Sequence, residues 1–334
     1  MKIIVFGAGA IGGYLGGALL AGGLDVTFVA RQSVARRLAE HGLHLTDYQG
    51  LDLKMGQPIP CVTGLDQIGS PADVVLLTVK CTGVGEAAQQ LAGWISPTTL
   101  VVCFQNGVGS GDLAAAYIPT AQLVSGMVPF NVLNAEAGRL HRGTEGELHV
   151  ESHPALKPLL DAWKSVGVPA VACQDFKSIA WGKLLLNLNN AINALAGVPL
   201  LEELSQRDYR RVLAACMREL LVALKAGGIK PARLAKLPPF LLPWVLLLPN
   251  WLFRRVARRM LAIDPRARSS MWDDLEQRKP TEIWFLNGAV VVLAEGLGLK
   301  APVNRKIMEL IQRAETSAQG SPGLSAAQLA GQLL

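Results

Sequence analysis

The chain has 334 residues, which at about 150 residues per domain predicts two domains, each large enough to bury a hydrophobic core. Half of the residues are hydrophobic, and the 34 Gly and 19 Pro follow no G-X-Y repeat, so a disordered or collagen-like chain is excluded. The net charge is only +6, and the basic residues are not clustered as in a nucleic-acid-binding protein, so we expect no nucleic-acid partner.

Short β-branched runs alternate with helical stretches from Met1 to about Cys173. Continuous apolar strands that alternate with helices are typical of a parallel sheet covered on both faces, so an α/β, Rossmann-type doubly wound sheet is predicted. The predicted strands are 2–6, 25–30, 73–79 and 99–104, and the predicted helices are 11–21, 34–41 and 85–95. After residue 123, shorter alternating runs such as 146–150 predict antiparallel additions at the sheet edge.

The strand signals stop near Phe176, and an all-helical second domain is predicted. We therefore assign residues 1–174 to a nucleotide-binding domain, 175–320 to a helical substrate domain and 321–334 to a loosely held tail. The helical patterns cover residues 176–196, 202–227, 267–277, 282–297 and 303–319.

A glycine motif follows the first predicted strand. The strand runs into Gly7-Ala8-Gly9-Ala10-Ile11-Gly12, a GxGxxG pattern that opens a helix within a β-α-β unit of about 30 residues. In this context Gly7 permits a tight turn, Gly9 lets backbone N–H groups approach a pyrophosphate, and Gly12 allows close helix–sheet packing. The motif predicts a dinucleotide site at residues 7–12; the alternative is that the glycines serve only the turn.

The end of the second predicted strand indicates which dinucleotide binds. An acidic residue there would accept hydrogen bonds from a free ribose 2′-hydroxyl, whereas this chain has Arg31 and no acid until Glu40. Because a guanidinium binds a phosphate in a bidentate manner, Arg31 favours NADP over NAD. The alternative for Arg31 is an ordinary solvated side chain.

Lys80 and Asn106 follow the third and fourth predicted strands. Ligands of open parallel sheets bind beyond the carboxyl ends of the strands, so topology predicts that both residues lie beside the cofactor. The alternative is that Lys80 is a solvated strand end and Asn106 a turn residue before Gly107.

The first predicted helix of the second domain carries a polar stripe. At about 100° per residue, Lys183, Asn187 and Asn190 fall on one face, opposite an apolar stripe. Asparagine is a poor helix former, so this composition is typical of a functional cleft rather than of a solvated face. We predict that Lys183 supplies a proton or a positive charge and that Asn187 fixes a carbonyl or hydroxyl group.

A second candidate region contains Ser270 and Glu282. Pro280 marks a break, Thr281 is predicted to cap the next helix, and Glu282 is predicted in its first turn, where the helix dipole favours a carboxylate. A structural and a functional role for Glu282 both remain open at this point.

Other features bear on location, membranes and metals. The five cysteines form no CxxC pair, which is typical of reduced thiols in a cytoplasmic protein. The Gly-rich residues 3–24 and the proline-broken apolar segment 237–253 are poor membrane elements, so we expect no membrane partner; residues 237–253 instead predict an apolar wall or partner surface. The five histidines lack ligand spacing, so no metal site is expected, and the apolar helical domain favours a homodimer.

These motifs together resemble those of the ketopantoate reductase (2-dehydropantoate 2-reductase) family, from Met1 to about Gln319. The resemblance implies NADPH-dependent reduction of the 2-keto group of ketopantoate to pantoate, in the pathway to pantothenate and coenzyme A. The matching pieces are GAGAIG at 7–12, Arg31, TVK at 78–80, QNGVG at 105–109, WGKLLLN at 181–187, SSMWDDL at 269–275 and PTEIWFLNG at 280–288.

The resemblance also implies roles for single residues. Lys183 would be the general acid that protonates the carbonyl oxygen, and Glu282 would be its acidic partner near the substrate. Arg31 and Lys80 would flank the cofactor's adenosine phosphate. The residues expected to bind substrate or keep the cleft polar are Asn106, Asn187 and Ser270.

The chain departs from the family pattern at two positions. Ala191 stands where the family usually has a second asparagine, and either Asn190, favoured by helix geometry, or Asn193 would replace it; Trp284 stands where the family has an acid. A reductase of the same mechanism that acts on a different keto compound is therefore the alternative function. A dinucleotide-binding sensor without turnover is the third.

Overall fold

The computed structural model describes residues 1–135, 138–234, 237–257, 264 and 266–334. The chain divides into two compact units, Met1–Phe176 and Lys177–Leu334, close to the boundary predicted after residue 174. The first unit contains strands and helices, and the described part of the second is helical.

The strands of the first unit form two sheets. The predicted strands are confirmed with slightly shorter bounds. In chain order the strands are β1 (Lys2–Phe6), β2 (Asp25–Val29), β3 (Leu43–Asp47), β4 (Asp52–Met55), β5 (Cys61–Val62), β6 (Val74–Leu77), β7 (Leu100–Cys103), β8 (Leu123–Met127), β9 (Val132–Asn134), β10 (Arg139–Arg142), β11 (Leu148–Glu151) and β12 (Ala170–Cys173).

The helices of the first unit cover the larger sheet. They are α1 (Ala10–Ala21), α2 (Gln32–His41), α3 (Val84–Ala92), α4 (Ser110–Ala115) and α5 (Lys157–Ser165).

The larger sheet has the topology of a doubly wound dinucleotide-binding fold. Its order is β12-β11-β8-β7-β6-β1-β2-β5, and the pairs from β5 through β8 are all parallel. Alternate residues of β1 belong to two cores: Ile3 and Val5 pack with residues of α1 and α5, while Ile4 packs with residues of α3 and α4. Both faces of the sheet are therefore covered by helices, as the apolar strands predicted.

The edge of this sheet differs in part from the prediction. Only β11 pairs in an antiparallel manner, with β8; β8 itself is parallel to β7, and β12 is parallel to β11. The remaining predicted edge region contributes β9 and β10 to a separate four-stranded sheet of order β4-β3-β10-β9. The antiparallel addition predicted at 146–150 is therefore confirmed as β11, and β12, which is parallel to β11, also runs antiparallel to the main sheet. The strand β8 instead extends the parallel part of the sheet.

The helical pattern of the second unit is confirmed, with more breaks than expected. The helix predicted over 176–196 is divided at Leu188, and the pattern at 202–227 begins with a separate short helix. In chain order the helices are α6 (Phe176–Asn187), α7 (Asn189–Ala196), α8 (Leu200–Ser205), α9 (Arg207–Ala226), α10 (Leu242–Leu246), α11 (Asn250–Val256), α12 (Ser270–Glu276), α13 (Asn287–Gly296), α14 (Pro302–Ser317) and α15 (Ala326–Leu333).

The C-terminal segment is an ordered helix rather than the expected loose tail. Ser325 and Gln328 form a capping box at the start of α15, and the Leu329 side chain is fully buried. The Tyr209 hydroxyl on α9 also donates to the Leu324 carbonyl oxygen at 2.7 Å. The expectation was wrong because the cap and a few apolar residues dock this short segment.

The apolar segment 237–253 forms short helices that begin at prolines. Pro243 lies in the first turn of α10, and Pro249 is the residue before α11. Phe253 is fully buried, whereas Trp244 and Trp251 are 63% and 71% exposed. In the described part of the chain, no helix has both the length and the apolar character needed to cross a membrane.

Candidate functional site

The glycine loop between β1 and α1 has the backbone geometry of a phosphate-binding turn. Gly7 has a φ of +106°, a left-handed conformation that favours glycine, and its N–H donates to the Val29 carbonyl oxygen at 3.0 Å. The Gly9 N–H then donates to the Gly7 carbonyl oxygen at 2.8 Å. The loop therefore turns sharply between β1 and the N-terminus of α1.

The glycines at 9 and 12 have different roles. A Cβ on Gly12 would lie 2.3 Å from both the Gly7 carbonyl oxygen and Thr78 Oγ1, so only glycine allows α1 to pack this closely. Thr78 Oγ1 donates to the same Gly7 carbonyl oxygen at 2.9 Å and ties β6 to the loop. A Cβ on Gly9 would have no protein atom within 4 Å, so the space above Gly9 is open to a ligand.

A matched pair of substitutions separates these roles. We expect Gly9→Ala to keep the thermal stability of the wild type, because Gly9 has ordinary dihedral angles and open space, but to weaken dinucleotide binding about tenfold or more. We expect Gly12→Ala to lower the melting temperature by several degrees, since its methyl group meets backbone. Thermal unfolding and fluorescence titration measure both effects; equal stability of the two variants would contradict this division.

Arg31 and Lys80 follow strands that lie on either side of β1. Both side chains are exposed, Arg31 as the residue before α2 and Lys80 as the residue before a 3₁₀ turn. Since β2, β1 and β6 are adjacent parallel strands, the glycine loop and these two cations share the carboxyl edge of the sheet. The donor set suits the phosphates of a dinucleotide.

Asn106 is held in place by neighbours that the sequence motif alone did not identify. Its carbonyl oxygen accepts a hydrogen bond from the buried Cys81 thiol at 3.0 Å. The preceding Gln105 donates from Nε2 to the carbonyl oxygens of Leu77 and Val79, at 2.7 and 3.1 Å. Gln105 therefore joins the ends of β6 and β7, which places Asn106 at the same sheet edge as Lys80.

The helical segment that carries the polar stripe is divided into α6 and α7, but it keeps a polar face and an apolar face. Leu188 separates α6 from α7, yet its N–H still donates to the Leu184 carbonyl oxygen at 3.0 Å and its dihedral angles are helical. Lys183, Asn187 and Asn190 are half-buried. The predicted apolar stripe is buried; its members are Trp181, Leu185, Leu188, Ile192 and Leu195.

Asn193 has a structural role. Its side chain is fully buried, and its Nδ2 donates to the Val198 carbonyl oxygen and to Glu203 Oε2 at 2.9 and 2.8 Å. Its Oδ1 accepts a hydrogen bond from the Ser269 N–H at 2.8 Å. The Asn193 amide is therefore engaged within the protein at both its nitrogen and its oxygen.

The serine pair at the start of α12 lies close to Asn190. Ser269 is the N-cap of α12, where its Oγ accepts from the Trp272 N–H at 3.2 Å and donates to the Asn190 carbonyl oxygen at 3.0 Å. Ser270, the predicted substrate residue, is exposed in the first turn of α12. The sequence identified the pair but not which serine serves as the cap.

Glu282 does not lie in the first turn of a long helix, so that prediction was wrong. It precedes a 3₁₀ turn over Ile283–Phe285, and α13 begins only at Asn287. Thr281 does act locally, since its Oγ1 accepts from the Ile283 N–H at 3.3 Å. The helix is delayed because Leu286 has the non-helical dihedral angles φ −106° and ψ −94°, which removes the helix-dipole explanation for Glu282.

Glu203 on α8 is a buried acid that sequence reasoning missed. It is 1% exposed, and its Oε2 accepts hydrogen bonds from Asn193 Nδ2 at 2.8 Å and Asn189 Nδ2 at 3.4 Å. Burial raises the pKa of Glu203 to about 8, although the two amides act in the opposite direction. The side chain is therefore mainly protonated at neutral pH.

This pKa predicts a pH dependence of stability. The folded state keeps the Glu203 proton up to about pH 8, whereas the unfolded chain releases it near 4.5, so the stability contributed by this group falls as pH rises between these values. Between pH 5 and pH 8 we expect the melting temperature of Glu203→Gln to fall by less than that of the wild type. Glu202→Gln, on the exposed neighbour, should follow the wild type; identical curves for all three proteins would contradict the assignment.

Within the described ranges, no group of three or more His, Cys, Asp or Glu side chains is arranged to hold a metal ion.

Comparison with known proteins connects both units to one family. The family model described as ketopantoate reductase PanE/ApbA matches residues 3–155, and its C-terminal counterpart matches residues 175–315. A 2-dehydropantoate 2-reductase from Archaeoglobus fulgidus is 26% identical over 94% of this chain and 98% of its own length.

Solved structures share the fold. The PanE/ApbA family ketopantoate reductase from Ralstonia eutropha has a TM-score of 0.80 and 27% identity, over 96% of this chain and all of that one. D-mandelate dehydrogenase in complex with NADH and anilino(oxo)acetate has a TM-score of 0.76 and 21% identity, over 95% and 99% of the two chains.

Proposed function

The chain belongs to the ketopantoate reductase family, and from this premise we propose that it reduces the 2-keto group of 2-dehydropantoate to pantoate with NADPH. Members of this family are oxidoreductases that act on CH–OH groups, and this chain is such an enzyme. The reaction consumes one ketone, one NADPH and one proton, and yields one secondary alcohol and NADP⁺. Its product would enter the pathway to pantothenate and coenzyme A.

The first unit would hold the cofactor. When bound, NADPH supplies the hydride. The pyrophosphate would lie on the loop Gly7–Gly12, where the space above Gly9 is open. The N-terminus of α1, which begins in this loop, would favour its negative charge. Arg31 would bind the 2′-phosphate, Lys80 would add positive charge, and Asn106 would hydrogen bond the ligands at the same sheet edge.

The second unit would supply the proton and the polar contacts. The Lys183 ammonium would donate a proton from Nζ to the carbonyl oxygen, where negative charge develops as the ketone is reduced. Glu282 would favour the charged form of that ammonium. The groups that would hydrogen bond the substrate are Asn106, Asn187, Asn190 and Ser270.

One observation carries this proposal beyond family membership. A half-buried ammonium and two half-buried carboxamides, those of Lys183, Asn187 and Asn190, lie opposite the buried apolar stripe of α6 and α7. An ordinary solvated helix face would carry long charged side chains instead of asparagine. This composition suits the binding of a polar substrate and protonation of its oxygen.

The direct test is an assay of NADPH oxidation in the presence of 2-dehydropantoate. The loss of NADPH is monitored by its absorbance, and the product is identified as pantoate. The alternative substrate class rests on Trp284, which is 56% exposed where the family has an acid, so a panel of larger and more apolar 2-keto acids is assayed in parallel. If another keto acid is turned over faster than 2-dehydropantoate, that keto acid is the substrate. NADPH binding without oxidation by any keto acid would indicate a sensor.

We also propose a cytoplasmic homodimer. All five cysteines are free thiols, as expected in a reducing compartment.

The homodimer is proposed because three large apolar side chains of the helical unit are each more than 60% exposed: Phe240, Trp244 and Trp251. We expect light scattering to give twice the chain mass for the wild type and a single chain for the double variant Trp244→Glu, Trp251→Glu; a wild-type monomer would contradict the proposal.

A further inference from the structure

Glu203 has a buried carboxyl group that the proposed mechanism does not use. It lies on α8, is 1% exposed, and has the amides of Asn189 and Asn193 as its side-chain partners among the described residues. Burial of an acid without a cation partner costs stability, and the hydrogen bonds of Glu203 connect it to the candidate substrate residues.

The first connection of Glu203 leads to the start of α12. Glu203 Oε2 accepts from Asn193 Nδ2, and Asn193 Oδ1 accepts from the Ser269 N–H, with both distances at 2.8 Å. Ser269 caps α12, whose first residue is Ser270. A chain of two hydrogen bonds therefore connects a buried acid on α8 to the residue that precedes Ser270.

The second connection leads to Asn190. Asn189 Nδ2 donates to Glu203 at 3.4 Å, and the Ser269 hydroxyl donates to the carbonyl oxygen of Asn190 at 3.0 Å. The backbone adds a further tie, since the Leu200 N–H of α8 donates to the Ala267 carbonyl oxygen at 2.9 Å. The helices α7, α8 and α12 are thus joined at the point where Asn190 and Ser270 lie.

We propose that Glu203 is a positioning residue, which through Asn193 and Ser269 fixes the places of Ser270 and Asn190 for substrate binding. This inference rests on the proposed function of those two residues. Glu203 itself touches no substrate. Side chains that bind a ligand need support within about 0.5 Å of their productive positions. The buried amide of Asn193, which is paired at both its nitrogen and its oxygen, provides such support.

The variants are chosen to change the position of the acid while retaining the fold. Glu203→Asp keeps a carboxyl group but withdraws it by one methylene from Asn193. Glu203→Gln keeps the length and an acceptor oxygen, and it mimics the protonated side chain. Glu202→Asp makes the same chemical change on the adjacent, exposed residue and is the matched control.

The kinetic measurement separates positioning from general damage. We expect Glu203→Asp to raise the KM for 2-dehydropantoate about tenfold while kcat falls less and the Kd for NADPH stays within about twofold. Glu203→Gln should restore the KM to within about threefold of the wild type, and Glu202→Asp should leave it unchanged. An unchanged KM in a folded Glu203→Asp protein would overturn the proposal.

A second measurement does not depend on the substrate. Hydrogen–deuterium exchange reports how strongly the backbone amides of Ser269 and Trp272 are protected. In the wild type the Ser269 N–H donates to Asn193 Oδ1, and the Trp272 N–H donates to Ser269 Oγ. We expect at least about tenfold faster exchange of both amides in Glu203→Asp and no change in Glu202→Asp. Unchanged exchange would overturn the proposal, as would faster exchange with a wild-type KM. Faster exchange in Glu203→Asp, found together with a wild type that does not reduce 2-dehydropantoate, would count against the proposed function alone.

Discussion

In the Lys183→Ala variant we expect kcat for the keto acid to fall at least about a hundredfold, while the affinity for NADPH stays within about twofold of the wild type. Removal of a general acid costs about two to four orders of magnitude, because the developing alkoxide is then left without a proton donor. The residues proposed to bind the cofactor belong to the first unit, so the substitution leaves them unchanged. Steady-state NADPH oxidation and fluorescence titration give the two quantities.

Two further variants make this result specific to Lys183. Lys177→Ala removes an exposed lysine from the same helix and should keep the wild-type kcat. Lys183→Arg retains the positive charge but is a very poor proton donor at neutral pH, so we expect substrate binding without normal turnover. Near-normal kcat in Lys183→Ala, or full rescue by arginine, would remove Lys183 from proton transfer.

The parallel sheet could be predicted because its central strands β1, β6 and β7 bury nearly every residue. Val74–Leu77 and Leu100–Cys103 are buried throughout, so their sequence consists of unbroken apolar runs. The turn at Gly7 could also be predicted, since a positive φ and a closely packed helix both leave a glycine in the sequence. Burial of a whole strand and a left-handed turn each restrict a few consecutive residues, and this is why both can be predicted from the sequence.

The second sheet could not be predicted in the same way. Its strand Leu43–Asp47 alternates buried with half-buried residues. Asp47 forms an ion pair with Arg142 of β10 at 2.9 Å, and both side chains are almost fully buried. In a sequence, charged residues of this kind indicate a surface, because the partner that makes their burial possible lies far away in the chain.

The asparagines of the second unit show the same limit at the candidate site. The shared face of Asn187 and Asn190 could be predicted, but the different role of Asn193 could not. Asn193 pairs with Glu203 on another helix, whereas Asn190 offers its backbone carbonyl oxygen to Ser269 and has a half-buried side chain. Helical periodicity gives the direction of a side chain but not the neighbour that the next helix brings to it.

Cofactor preference should depend on one exposed side chain. In Arg31→Ala we expect the Kd for NADPH to rise about tenfold to a hundredfold, which corresponds to the loss of about 1.5–3 kcal/mol of charge-assisted hydrogen bonding, while the Kd for NADH hardly changes. The cause is geometric, since Arg31 lies two residues after the end of β2 and no acid is present before Glu40 to bind a free ribose hydroxyl. Parallel fluorescence titrations with the two coenzymes measure the effect.

A control and the salt dependence decide whether the loss is specific. Arg139→Ala removes an exposed arginine from β10 of the same unit and should leave both dissociation constants unchanged. Because the proposed contact of Arg31 with the 2′-phosphate would be electrostatic and exposed, added salt should weaken NADPH binding more in the wild type than in Arg31→Ala. Equal weakening of NADPH and NADH binding in Arg31→Ala would show that the arginine serves the loop or the shared pyrophosphate, and the preference for NADPH would then need another residue.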